Sequence, residues 1–126
     1  MYIINVIEKF CGAHKLNGYE GECSNIHGHN WRVRLAIACK NLDSIGLSID
    51  FKEAKRKLKN ILDEFDHKNL NDLEAFYGKN PSSENIAKTI FNLCADVFDD
   101  DNSKVIELQV WESDNYSIIY LRDENN

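Results

Sequence analysis

The feature that most constrains this chain is a pair of long alternating runs separated by an aperiodic connector. From Tyr2 to His14, residues Ile4, Val6, Phe10 and His14 share one parity, as a strand with one buried face requires. The stretch from Lys15 to Ile26 holds Asn17, Gly18, Gly21 and Asn25 and has no period, so it reads as a loop. Alternation then resumes, with His27, His29, Trp31, Val33, Leu35 and Ile37 on one parity and Arg32 and Arg34 on the other. If the loop closes these strands into an antiparallel pair, the end of the first meets the start of the second. Three histidines then gather at one end of one apolar face.

Beyond this pair the period changes. After a turn and a short extended piece from Asn41 to Asp50, residues Phe51, Ala54, Leu58, Ile61, Leu62 and Phe65 recur at helical spacing. That predicts an amphipathic helix of about four turns, ending near Asp66-His67. A polar connector from Lys68 to Asn80 leads to Pro81 and two serines, which are helix-start signals. Ile86, Ile90, Leu93, Val97 and Phe98 form the stripe of a second helix, which ends in an acidic turn at 99–102. Val105 to Glu112 and Tyr116 to Leu121 read as two last strands across an Asp114-Asn115 turn. The order strand, strand, helix, helix, strand, strand is α+β. With 126 residues, 43% of them apolar, and no repeat or low-complexity linker, one domain spanning 1–126 is expected.

The net charge of −6 argues against broad nucleic-acid binding, which begins with a basic field. An anionic small molecule would need a local basic cluster, for which Lys9, Lys15, Arg32, Arg34, Lys68 and Lys79 are scattered candidates. No stretch resembles a secretory leader or is apolar for long enough to cross a bilayer. A soluble cytoplasmic protein without a membrane partner is therefore expected. Cys11, Cys23, Cys39 and Cys94 lie far apart without paired spacing, so free thiols are expected.

His27 and His29, two apart on a strand, project to the same face and can reach one ion, and His14 would join them. Three protein ligands leave the fourth position of a tetrahedral zinc open, the arrangement of a catalytic site. Cys23, four residues before His27, admits two readings. It is a fourth ligand closing a structural zinc site, or a thiol beside the metal whose lowered pKa makes it a base or nucleophile. A packed loop thiol is the plain alternative. Asp66-His67 pairs a carboxylate with an imidazole that it can orient for proton transfer, though such pairs also end helices. Glu84 is a first-turn acid. Glu112 emerges at the end of an apolar strand face, where a carboxylate must be paired or used.

Taken together, Phe10 to His14, Cys23-Ser24-Asn25-Ile26-His27-Gly28-His29-Asn30, Ile49-Asp50-Phe51, Phe65 to Asn71, Pro81-Ser82-Ser83-Glu84-Asn85 and Val110-Trp111-Glu112-Ser113 resemble the 6-pyruvoyltetrahydropterin and 6-carboxytetrahydropterin synthase family. The resemblance implies a tunnelling fold, in which a four-stranded antiparallel sheet carries two helices on one face. It also implies edge-to-edge assembly into trimers or hexamers with intersubunit active sites. It implies zinc on His14, His27 and His29, Cys23 as general base, Asp66 and His67 completing a catalytic triad, and Glu84 and Glu112 anchoring a pterin ring. The implied substrate is 7,8-dihydroneopterin triphosphate. The carboxy-forming branch, serving queuosine and related 7-deazapurines, is favoured by the compact chain. Two departures stand out. Cys11 occupies a place near the metal where the family usually has serine, and Glu22 precedes Cys23, as a glutamate replaces that cysteine in a hydroxymethylpterin-forming subgroup.

Overall fold

The computed structural model describes residues 1–21 and 25–123. Its frame is the hairpin expected from the two alternating runs. Strand β1 (Tyr2–His14) and strand β2 (His27–Cys39) pair antiparallel along their whole length, from Tyr2 opposite Cys39 to His14 opposite His27. The alternation decides which side chains enter the core: Ile4, Val6 and Phe10 from β1 and Trp31, Val33, Leu35 and Ile37 from β2 are buried together. Arg32 and Arg34, on the other parity, remain outside this core.

Helix α1 (Phe51–Leu62) starts where the Asp50 side chain accepts hydrogen bonds from the Lys52 and Glu53 amides, which satisfies donors that the first turn leaves free. It is a turn shorter than its apolar spacing predicts. After Leu62 the chain tightens, with Phe65 N–H donating to the Leu62 carbonyl, so Phe65 reaches the core from a turn. Phe51, at the first helical position, is exposed. Helix α2 (Ser83–Phe98) is capped by Ser82, whose hydroxyl accepts from the Asn85 amide, and buries Ile86, Ala87, Ile90, Phe91, Cys94 and Phe98. Val97, expected in that stripe, is exposed. Burial pushes the Cys94 thiol up to about 12, as removal from water disfavours a thiolate. The helices share one core with the inward row of the sheet, α1 against β1 and α2 against the two C-terminal strands.

The sheet differs from the expected four antiparallel strands. Among the described residues it has five, in the order β3-β1-β2-β4-β5, with β3 (Lys68–Asn69) parallel to β1. The reason is local. His67 adopts a left-handed φ of 57° and its N–H donates to the Cys11 carbonyl at 2.6 Å, turning the chain along the free edge of β1. Two residues cannot display a period, so this strand leaves no pattern in the sequence.

Strand β4 (Ser103–Ser113) pairs with β2 and with β5 (Tyr116–Leu121). Its alternation is not clean. Ile37 faces Val105 while Ala36 faces Glu107, leaving Ile106 as an extra residue, so the inward row runs Val105, Leu108, Val110. A second irregularity, against β5, leaves Glu112 as the extra residue between Trp111 and Ser113. Bulges re-aim side chains and gather beside functional sites.

Candidate metal centre

The register of β1 and β2 makes His14 and His27 direct cross-strand neighbours, with His29 two residues further along the same face. Ring centroids lie 4.5 Å apart for His14 and His27, 4.7 Å for His27 and His29, and 5.5 Å for His14 and His29. Trp31 lies beneath, edge-on to His14 at 5.1 Å and to His29 at 5.3 Å, and its indole N–H donates to the Gly12 carbonyl at 3.2 Å. Phe10 stacks parallel to Trp31. The imidazoles therefore rest on an aromatic floor that is itself hydrogen-bonded to the hairpin.

Backbone carbonyls set the protonation of two rings. His14 Nδ1 donates to the Pro81 carbonyl at 2.7 Å and His27 Nδ1 to the Asn25 carbonyl at 2.8 Å. A proton so held on Nδ1 would leave each Nε2 lone pair for a metal ion, which would displace the Glu112 contact. His29 Nε2 is buried and makes no hydrogen bond of acceptable geometry. Burial, the largest effect, holds the His29 pKa below its ordinary value, with His27 and His14 acting in the same direction and Glu112 opposing them. Three imidazoles that bring one ring nitrogen each into a shared space are a donor set that fits a zinc ion.

Glu112 completes the group. Its Oε1 lies 3.2 Å from His14 Nε2, 2.9 Å from His29 Nε2 and 3.8 Å from His27 Nε2, and its Oε2 accepts from Ser83 Oγ at 3.3 Å. One ligand atom from each of these four residues lies within 4.8 Å of the others. By sequence alone Glu112 is a carboxylate out of place on an apolar face. The bulge accounts for its aim. Two supporting groups went unread: Ser83, hidden in a stretch that signals only a helix start, and the Pro81 carbonyl, which no side-chain pattern can reveal.

Asp66 and His67 lie elsewhere, on the free edge of β1. Asp66 Oδ1 accepts the Cys11 amide at 2.9 Å, and Asp66 Oδ2 lies 3.0 Å from His67 Nδ1. The Cys11 amide, chiefly, and then His67 hold the Asp66 carboxyl below its usual range. The His67 side chain is 79% exposed. Counting along β1 from Cys11 to His14 at about 3.3 Å per residue, roughly 10 Å separates this pair from the histidine cluster. The Cys11 thiol contacts Asn30 Oδ1 at 2.9 Å, and Cys11 and His67 line one open depression with Asn30, Lys68 and His29 of the histidine cluster. Glu84 is exposed on the first turn of α2. Cys23 and Glu22 lie outside the described residues. Cys11, Cys39 and Cys94 are free thiols.

A β-hairpin presenting three histidines and a carboxylate at one end of a helix-backed sheet defines a metal-competent α+β protein. Residues 3–123 match the family described as 6-pyruvoyl tetrahydropterin synthase, and the chain belongs to that family. It is 34% identical over 94 residues to a putative 6-carboxy-5,6,7,8-tetrahydropterin synthase of Archaeoglobus fulgidus, covering 75% of this chain and 76% of that one. It is 30% identical over 102 residues to the 6-pyruvoyl tetrahydrobiopterin synthase of Dictyostelium discoideum, covering 79% and 73%. Among solved structures, the 6-pyruvoyl tetrahydropterin synthase of Caenorhabditis elegans superposes with a TM-score of 0.84 at 24% identity, over 97% of this chain and 96% of that one, which shows the shared fold. No helix among the described residues is long and apolar enough to cross a membrane.

Proposed function

We propose that this chain is a zinc-dependent 6-carboxytetrahydropterin synthase, converting 7,8-dihydroneopterin triphosphate and water to 6-carboxy-5,6,7,8-tetrahydropterin, acetaldehyde and triphosphate on the route to 7-deazapurines such as queuosine. The observation that carries the reading is the convergence of His14, His27 and His29, with His14 and His27 each directing Nδ1 at a backbone carbonyl that accepts from it. These three residues would hold the zinc, which when bound supplies a Lewis acid for the side-chain oxygens of the substrate. Trp31 and Phe10 exclude water from one side of the site.

The remaining roles fall to groups that receive or move protons. Cys23 is the general base, as its spacing from His27 and the family resemblance suggest. Asp66, already bound to the Cys11 amide, orients the His67 ring so that its other nitrogen can pass a proton. The exposure of His67 and its place on the edge of β1 support its use by a neighbouring subunit of a trimer or hexamer. Glu84 and Glu112 anchor the pterin, because a carboxylate can accept from both the ring amino group and the adjacent N–H. In this reading Glu112, held by Ser83 through one oxygen, turns its other oxygen from the histidines to the pterin when metal and substrate are present.

The test is product analysis. Zinc-loaded protein incubated with dihydroneopterin triphosphate is expected to release acetaldehyde and a 6-carboxy pterin identified by mass spectrometry. The Dictyostelium relative favours a second reading, in which the product keeps its three-carbon side chain as 6-pyruvoyltetrahydropterin and no acetaldehyde appears. A closed, non-catalytic zinc site is separated by Cys23→Ala. Zinc retained with turnover lost supports the base, and zinc lost together with the fold supports a fourth ligand.

A further inference from the structure

We propose that the groove between Lys15 and Lys79 is an anion subsite that seats the triphosphate tail of the substrate. This rests on the pterin-synthase reading and adds to it the residues that take the phosphates. The groove, about 480 Å³, is lined by Lys15, Asn17 and Asn71 on one wall and by Tyr77, Gly78 and Lys79 toward the other. None of its described lining residues is acidic, in a chain whose net charge is −6. Such a local reversal of sign is what a polyanion needs in order to approach an acidic protein.

Position supports the assignment. Lys15 is the residue after His14, and the Lys79 wall runs through Asn80 into Pro81, whose carbonyl holds the His14 ring. One wall is thus continuous with His14, and the other is tied to it by the Pro81 hydrogen bond. In the substrate the triphosphate sits on the third side-chain carbon, next to the carbons whose hydroxyls would face the metal. A phosphate chain leaving that centre therefore needs cationic groups a short way from His14, where Lys15 stands.

The walls are also built rather than loose. Asn71 clamps the Lys15 backbone, its Oδ1 accepting from the Lys15 amide at 2.8 Å and its Nδ2 donating to the Lys15 carbonyl at 3.1 Å. Asn80 clamps Asn17 in the same manner, with both bonds at 2.9 Å. The first pair stiffens one wall, the second joins it to the other, and neither uses a lysine ammonium group. At the bottom of the groove Phe76 is buried, and Gly78, at φ 79°, gives the sharp turn that carries Lys79. A groove set before the ligand arrives loses less freedom on binding.

The probe is inorganic triphosphate, titrated calorimetrically into the zinc-loaded full chain, with unphosphorylated 7,8-dihydroneopterin titrated in parallel. The Lys15→Gln/Lys79→Gln variant keeps the clamps, since those at residue 15 use backbone atoms. It is expected to bind inorganic triphosphate at least tenfold more weakly, with zinc content and dihydroneopterin affinity unchanged. A control variant, Lys52→Gln/Lys88→Gln, removes the same charge from the helices and is expected to bind as the parent does. Triphosphate affinity that is unmoved in the groove variant, absent in the parent or equally reduced in the control overturns the subsite. If dihydroneopterin fails to bind while the lysine-dependent triphosphate site persists, the pterin reading fails and the anion site stands.

Discussion

The histidine end of the β1–β2 hairpin and the Asp66–His67 turn hold the same kinds of groups, imidazole and carboxylate, by opposite means. At the hairpin end, strand register brings the rings together, backbone carbonyls assign their protons and Trp31 packs beneath them. At the turn, one left-handed residue and one amide bond place a carboxylate and a ring that is 79% exposed. Groups that hold an ion must keep their geometry before it arrives, and paired strands supply that. Groups proposed to serve a neighbouring subunit would have to be reachable, and an edge turn supplies that instead.

The largest expected effect breaks the rigid side. His14 is 1% exposed, so His14→Ala opens a cavity and leaves the Pro81 carbonyl without its donor. A loss of about 3 kcal/mol in stability is expected. Outer-shell partners alone are worth roughly 10–100-fold in metal affinity, so loss of a direct ligand should exceed that range. Metal content and thermal unfolding check both. His67→Ala is the counterpart, with zinc and melting temperature kept and turnover lost. Similar losses of zinc in the two variants would end the division of labour.

Glu112 lies between the two regimes, close to the rings but on a bulge. Glu112→Gln is expected to retain one zinc per chain and to lose dihydroneopterin binding by about tenfold or more, since a hydrogen bond to a charged group is worth roughly 1.5–3 kcal/mol. Loss of zinc from this variant would instead make the carboxylate a resident ligand. Atomic absorption together with pterin titration decides between these outcomes.

A smaller effect tests whether the turn is strained for function. A left-handed φ disfavours any residue with a Cβ by roughly 1–2 kcal/mol, although histidine tolerates it better than most. His67→Gly relieves this while adding freedom to the unfolded chain. The expected net result is a gain of a few tenths to about 1 kcal/mol in denaturant unfolding, with turnover lost. A stability decrease would show that the ring itself anchors the turn.

The same contrast explains what the sequence could reveal. Parity reads strand faces directly, so the placement of His14, His27 and His29 at one end of one face was legible before any fold was known. Parity fails wherever a residue is added. Ile106 and Glu112 are both bulge residues, and nothing in the alternation marks where the ladder slips. The Asp66–His67 pair was visible as chemistry, but its attachment to Cys11 was not. That contact spans 55 positions and depends on one φ angle. The parallel strand β3 escaped for the same reason. The supports of the site, a proline carbonyl on His14 and a serine hydroxyl on Glu112, belong to α2 and its lead-in, and only tertiary packing brings them near.

Acid titration sharpens the turn side. The Asp66 carboxyl is held below its ordinary value of 3.8, first by the Cys11 amide and then by His67. A carboxyl depressed in the folded state contributes stability that is complete above the unfolded value and disappears as pH falls through the folded one. The contribution is therefore present above about pH 4 and lost below it. Asp66→Asn is expected to flatten the stability profile in that acid window, while the profile at neutral pH keeps its shape. Urea midpoints measured across the window check this, and an unchanged acid limb would show that the Cys11 amide does not bias the titration.

The smallest effect concerns Cys11, the thiol that stands between the two regions. Its backbone serves the turn through both its N–H and its carbonyl, while its side chain meets only Asn30 at 2.9 Å among the contacts seen. Serine preserves both backbone bonds and offers Asn30 a hydroxyl donor of similar reach. Cys11→Ser should therefore shift stability by less than about 0.5 kcal/mol and leave zinc content and turnover alone. The informative comparison is reactivity. Cys11 is exposed, so thiol titration of the native zinc-loaded protein should lose its Cys11 signal in the variant, with turnover still complete. A fall in turnover without a fall in stability would give the thiol a part in proton transfer beside His67, and would bring the edge turn closer in design to the hairpin end than its exposure implies.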